Sequence, residues 1–211
     1  MGDGAIAMAR GDSGDGHQVN AERRDESAGP RSLSLVLRLD VPMQMYACLP
    51  AVLALAAARM LRSDGVDARV LWPSGVSVAG TPALLVYAHA GYDQGVFAKV
   101  ELVPQGIEGV GLLARGKGML RDALREGARG WEVALQRARV VAGPLAPLLG
   151  DYFDLLEHAG GEVEVIYPNG RPAARGVLAG VDVWGRANVR IASGRVLELS
   201  PEQASLHVAR G

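Results

Sequence analysis

From Gly160-Gly161 onward the apolar residues recur at every second position, and the runs that carry this period are separated by turn residues. EVEVIYP leads into Asn169-Gly170, AARGVLAGVDV into Gly185, and ANVRIA into Ser193-Gly194 before RVLEL. Asn-Gly tolerates the positive φ that a two-residue hairpin demands, which makes it the strongest short-range hairpin signal in a sequence. Side chains alternate between the two faces of a strand, so each of these runs has one apolar face to bury against its neighbours. Few architectures accept that pattern. We expect a small five-stranded β-barrel over residues 161–211, with a domain boundary near residue 160.

Residues 1–160 read as a second, α+β unit. Two short strands are expected at Ala5–Ala9 and Ser32–Leu39, joined by a long mobile loop over residues 10–31, whose Gly, Asp, Ser and Arg show no apolar periodicity. PAVLALAAARMLR, from Pro50 to Arg62, places Pro where a first helical turn accepts it, and Asp64-Gly65 ends the run, so a buried helix is expected there. ARVLW, GVSV, ALLVYAH and VFAKVELV then give four β-type runs broken by Pro73-Ser74-Gly75, Ala79-Gly80 and Gly95. This predicts a mixed or antiparallel sheet. From Lys117 to Ala159 the period becomes helical, interrupted at Pro144 and Pro147.

Composition excludes several functions. The 211 residues carry a net charge of −1, with neither a basic stripe nor a helix-turn-helix pattern, which argues against nucleic acid as a partner. Ala47 to Ala58, the longest apolar run, is too short to span a bilayer. With no secretory signal pattern and a single Cys48, an oxidising compartment gains no support, and the cytoplasm is the expected location. His89, His158 and His207 have no partners at metal-ligand spacing, so no metal is expected.

Two stretches resemble the biotin protein ligases of the biotin/lipoate ligase family. GEVEVIYPNGRPAARGVLAGVDVWGRANVRIASGRVLELSPEQASL is similar to the small barrel that follows the bacterial catalytic domain, including a G-x-x-x-G-V-D-x-x-G hairpin. PAVLALAAARMLRSDGVDARVLWPSG resembles the ligase helix followed by its Lys-Trp-Pro-Asn-Asp signature. With SLSLVLRL the similarity covers roughly residues 5–206. It implies a catalytic-type sheet packed with helices, followed by a Src-homology-3-like barrel that lies near the carrier-protein side. Active members condense biotin with ATP to biotinyl-adenylate and pass the biotin to a lysine of a carrier protein.

The matched positions lack the charges that this reaction uses. The family's Gly-Arg-Gly-Arg loop corresponds to Gly14-Asp15-Gly16-His17, with Arg23 near the position of a following Trp. Lys-Trp-Pro-Asn-Asp becomes Leu71-Trp72-Pro73-Ser74-Gly75, and GTPALLVY offers Pro82 near the catalytic lysine and Tyr87 near an acidic residue. The family's upstream Ser-Thr-Asn biotin-contacting stretch has no counterpart in these 211 residues. Three lost charge-assisted hydrogen bonds at roughly 1.5–3 kcal/mol each remove about 5–9 kcal/mol of stabilisation, or several powers of ten in rate.

The expectation is therefore a ligase-like chain without catalytic residues. Candidate ligand contacts are Gly14, Gly16, His17, Arg23, Trp72, Pro73, Ser74, Gly75 and Lys99. Each has a plainer reading: Trp72 as core, Ser74-Gly75 as a turn, His17 as a solvated loop residue, and Lys99 as an exposed lysine alternating with apolar neighbours. Lys99 is also the one amine that could stand in for the lysine absent at Pro82. Lys117, between two glycines, superficially suggests a phosphate loop but matches no P-loop spacing. The expected role is a binding or interaction module whose partner is a biotin carrier protein or a competent ligase, with a homodimer also compatible. The alternative is a diverged biotin or lipoate ligase or transferase using biotin and ATP, with Arg23, Arg24 or Lys99 replacing the lost cations.

Overall fold

The computed structural model describes residues 32–138 and 142–209. The strand expected at Ala5–Ala9, the loop over 10–31 and, with it, Gly14, Gly16, His17 and Arg23 lie outside the described residues.

The first unit is built on β1 (Leu33–Leu37), β2 (Ala68–Leu71), β3 (Gly75–Val78), β4 (Thr81–Tyr92) and β5 (Val96–Pro104). They form one sheet in the order β1-β5-β4-β3-β2, with every ladder antiparallel. The register aligns Leu35 with Val100 and Val100 with Ala88, and Leu33 with Leu102 and Leu102 with Val86. These residues share the face that is buried, apart from the partly buried Ala88, while the odd-numbered residues of β5, Lys99 and Glu101, point to the open face. Among the described residues parallel pairing is limited to one bridge, where Val70 N–H donates to Leu155 O at 2.8 Å and Glu157 N–H donates to Val70 O at 2.8 Å.

Helices α1 (Leu49–Ser63) and α2 (Gly106–Arg137) pack on each other and on the sheet. Pro50 sits in the first turn of α1, where its missing N–H has no intrahelical partner to lose. Gly65, with φ +81°, ends the helix. A 3-10 turn, Met43–Cys48, precedes α1. Together they make a 21-residue segment, Met43–Ser63, long and apolar enough to cross a membrane by length and composition, and longer than the run recognised in the sequence. Its most apolar stretch is 67% buried inside the fold, so burial in the core accounts for the composition.

The start of α2 corrects the sequence reading. Helix begins at Gly106 rather than Lys117, and the loop-like glycines lie inside it. Gly109, Leu112, Leu113, Leu120, Leu124, Ala128, Trp131 and Leu135 form its buried face. Gly109 is needed for close approach, because a Cβ there would stand 1.9 Å from Ala83 O. Gly116 departs from helical geometry (φ −123°, ψ 18°), so α2 is two helical segments meeting at a kink. Lys117 follows that kink within the helix, in no phosphate-binding loop. The prolines do interrupt the helical region: a 3-10 turn, Ala146–Leu148, precedes the short α3 (Leu149–Asp154).

The second unit consists of β6 (Glu162–Ile166), β7 (Pro172–Val181), β8 (Ala187–Ile191), β9 (Val196–Leu199) and β10 (Ser205–Val208). They pair antiparallel in the order β10-β6-β7-β8-β9. Irregularities at Val165/Ile166 and Leu178/Gly180 bend the ladders, as a small sheet curling around its own core requires. That core contains Val163, Val165, Leu178, Val181, Ala187, Val189 and Leu199. Gly170, Gly185 and Gly194 all have positive φ, in the turns where the sequence placed them.

Candidate functional site

β2 and β3 are joined by the Trp72-Pro73-Ser74-Gly75 corner, and the peptide between Trp72 and Pro73 is cis. Each corner residue is tied to a neighbouring element. The Trp72 indole is 8% exposed, and its Nε1–H donates to Gly185 O of the second unit at 2.8 Å. The Tyr152 hydroxyl of α3 donates to Pro73 O at 2.9 Å. Ser74 Oγ donates to Val86 O at 2.9 Å, and Val86 N–H donates back to Ser74 O at 3.0 Å. Gly75 opens β3, and a Cβ there would meet Leu71 and Leu85 at 3.1 and 3.2 Å. Burial pushes the Tyr152 phenol up, with the nearby Cys48 adding to it, so Tyr152 remains a protonated donor.

Pro73 and Ser74 also wall a cavity of about 370 Å³, in the range typical of small-ligand sites. Met43, Tyr46 and Cys48 of the 3-10 turn and Pro50 of α1 form one side, and Ala88 and Ala90 of β4 form the floor. Trp184, Gly185, Pro201 and Glu202, from two loops of the second unit, close the other side. The cavity thus lies at the junction of the two units. Its hydroxyls are engaged: besides Ser74, the Tyr46 OH donates to Leu39 O at 2.9 Å and accepts from Leu39 N–H at 3.0 Å. Burial, followed by the charge of Asp182, raises the Cys48 thiol from 9.0 to about 12, which keeps it neutral and unsuited to nucleophilic work.

Among the described residues Glu202 is the only charged one lining this cavity. Arg186 lies beyond it, in an adjoining depression that shares Ala47, Trp184, Pro201 and Glu202. Its guanidinium is committed: Nε and Nη2 meet Asp182 Oδ2 at 2.6 and 2.5 Å, and Nη1 meets Glu198 Oε2 at 3.2 Å. The hydrogen bond and then the charge of Asp182 hold Arg186 even more firmly protonated than usual. Asp182 Oδ1 also accepts from the Trp184 and Arg186 amides at 2.8 and 2.9 Å, which sets the turn presenting Trp184.

The structure separates Lys99 from this site. Lys99 lies on the open face of β5, opposite Val36 of β1 and His89 of β4, whereas Ala88 and Ala90 belong to the other face. His89 stands seven residues along β4 from Pro82, which at ~3.3 Å per residue puts Lys99 roughly 20 Å from the position it would have to serve. Lys99 therefore cannot replace an amine at Pro82. Trp72, Pro73, Ser74 and Gly75 do come together, chiefly as structure. Met43, Tyr46, Cys48, Trp184, Pro201 and Glu202 were not singled out as site residues from the sequence. The one local signal for them is an aromatic at a hairpin tip, Trp184 beside Gly185. Among the described residues no group of three His, Cys, Asp or Glu side chains is placed to hold a metal ion.

No family model matches the chain, and no curated protein matches it in sequence. Solved structures do match. The apo biotin protein ligase from Aquifex aeolicus superposes with a TM-score of 0.62 at 16% identity, over 84% of this chain and 82% of that one. The same enzyme in complex with biotin and ATP gives 0.58 at 14% identity, over 84% and 78%. A biotin protein ligase-like protein of unknown function from Silicibacter gives 0.56 at 16% identity, over 80% and 77%. By this likeness the chain has the α+β fold of the biotin protein ligases.

Proposed function

We propose that this chain is a binding or interaction module built on the ligase fold, in which adenylate-forming chemistry has been lost. The observation that supports this reading is the charge of the junction cavity, whose only ionic lining group among the described residues is the Glu202 carboxylate. Bringing a carboxylate and a triphosphate together needs preorganised positive charge, and one missing donor at such a site costs about 100- to 1,000-fold in rate. Leu71 and Pro82 supply neither charge nor a side-chain donor at the positions where the resemblance puts lysines, and Pro lacks even its backbone N–H. Of the cations on which the diverged-ligase alternative drew, Arg23 and Arg24 lie outside the described residues, and Lys99 is on the wrong face and roughly 20 Å away.

The corner is retained for a different reason: Trp72 ties the first unit to the second through Gly185 O, and Tyr152 of α3 holds Pro73 in place. A rigid junction of this kind preserves the surface of the fold when the reaction is gone. The partner we propose is a biotin carrier protein, with a competent ligase as the other possible target. The test incubates the full chain with an unmodified carrier, biotin and ATP. Co-elution of the carrier without biotin on its lysine is the expected result. Biotinylated carrier would refute the proposal.

A further inference from the structure

The cavity at the junction has an unusual combination of walls. Its apolar lining, Met43, Pro50, Ala88 and Ala90, offers no donor to an anion, and the Ser74 and Tyr46 hydroxyls are already bonded to backbone carbonyls. At its mouth stands Trp184, 46% exposed, where Trp72 and Trp131 are 8% and 0% exposed. Beside it is Glu202, which has no ion-pair partner among the described residues. Among the described residues the charges around the mouth are three carboxylates, Asp182, Glu198 and Glu202, to one guanidinium, that of Arg186, already bound by two of them. Walls of low polarity concentrate such a field at the entrance.

An exposed indole face attracts cations through its quadrupole, and most strongly when the contact is partly desolvated. We infer that the junction cavity binds a compact organic cation, an ammonium group on an apolar or aromatic body, with Trp184 as its stacking face and Glu202 as its counter-charge. The apolar body fills the space between Pro50 and Ala88 while the ammonium remains at the mouth. A phosphate or carboxylate ligand meets repulsion there and finds no free donor. The inference rests on the binding-module reading, since it gives that module a ligand class.

Calorimetric titration of the full chain with phenethylammonium, 2-phenylethanol and 3-phenylpropionate tests it, because the three probes share a body and differ in charge. Trp184 is the exposed member of three tryptophans, so the fluorescence change on binding reports its own contact. At low salt the ammonium should bind about tenfold more tightly than the alcohol, with the carboxylate weakest. Glu202→Gln should bring ammonium and alcohol to within about threefold of each other, and Trp184→Ala should weaken both. Both positions are exposed, so each variant should keep the parent circular dichroism and melting temperature. The inference is overturned if no probe binds, if the carboxylate binds best, or if the ammonium preference survives Glu202→Gln. Failure here without biotin-dependent pyrophosphate release removes this ligand alone, whereas such release removes the binding-module reading.

Discussion

Replacing Trp72 by Phe separates a structural corner from a ligand-binding one. The substitution removes the donor to Gly185 O, a buried bond of 2.8 Å, and leaves that buried carbonyl without its partner. An unsatisfied buried polar group costs about 1–3 kcal/mol. Shrinking an 8%-exposed indole to a phenyl ring adds a packing loss of order 1 kcal/mol. The sum is about 3 kcal/mol, and for a chain of 150–250 residues each kcal/mol lowers Tm by ~2–4 °C. Thermal unfolding followed by circular dichroism should therefore show Trp72→Phe melting roughly 6–12 °C below the parent. Lys99→Ala, on the open sheet face, should stay within ~2 °C. A Trp72→Phe melting temperature equal to the parent's would refute the argument that this residue ties the two units together.

Gly109→Ala and Gly130→Ala make the same chemical change in α2 with opposite expected signs. Alanine gains about 1 kcal/mol of helix propensity at either site, but at Gly109 its Cβ would lie 1.9 Å from Ala83 O, and relieving that overlap costs more, about 1–3 kcal/mol or beyond. Gly130 has nothing within 4 Å of a new Cβ, so urea unfolding should show Gly130→Ala stabilised and Gly109→Ala destabilised; the same sign for both would contradict the packing described. Cys48 gives a pH dependence: its folded-state pKa is raised from 9.0 to about 12, so its stabilising contribution is full below pH 9 and is lost as pH rises through that interval. Cys48→Ala should flatten the decline in unfolding free energy above pH 9, and an unchanged slope would exclude Cys48 as its source.

Much of the framework was legible because its local signals and its tertiary needs agree. Asn169-Gly170, Gly185 and Gly194 mark turns in the sequence and have the positive φ that such turns use. Pro50 and Asp64-Gly65 bracket α1 in the same way. The first turns of α2 were not legible, because Gly106, Gly109, Gly111, Gly116 and Gly118 carry the wrong intrinsic propensity. Close packing overrides it, Gly109 lying against Ala83 O and Gly127 where a Cβ would stand 2.4 Å from that of Ala56. The site divides along a similar line. Trp72-Pro73 is a contiguous motif, and adjacent residues alone mark it as a corner. The cavity joins residues near 46, 74, 88, 184 and 202, and no local pattern announces a wall whose parts are more than a hundred positions apart. Lys99 failed as a substitute for the missing amine because alternation decides its face and register decides its distance, and only the pairing with His89 supplies the register.

The central claim, a ligase fold without adenylate-forming chemistry, is tested most directly by pyrophosphate release from ATP measured with and without biotin on the full chain. The account predicts no biotin-dependent release above background, because Leu71 and Pro82 bring no positive charge to the positions where the resemblance puts lysines, Lys99 is roughly 20 Å from Pro82, and the only charged group lining the adjoining cavity among the described residues is Glu202. Biotin-dependent release at a rate typical of a working ligase would contradict it.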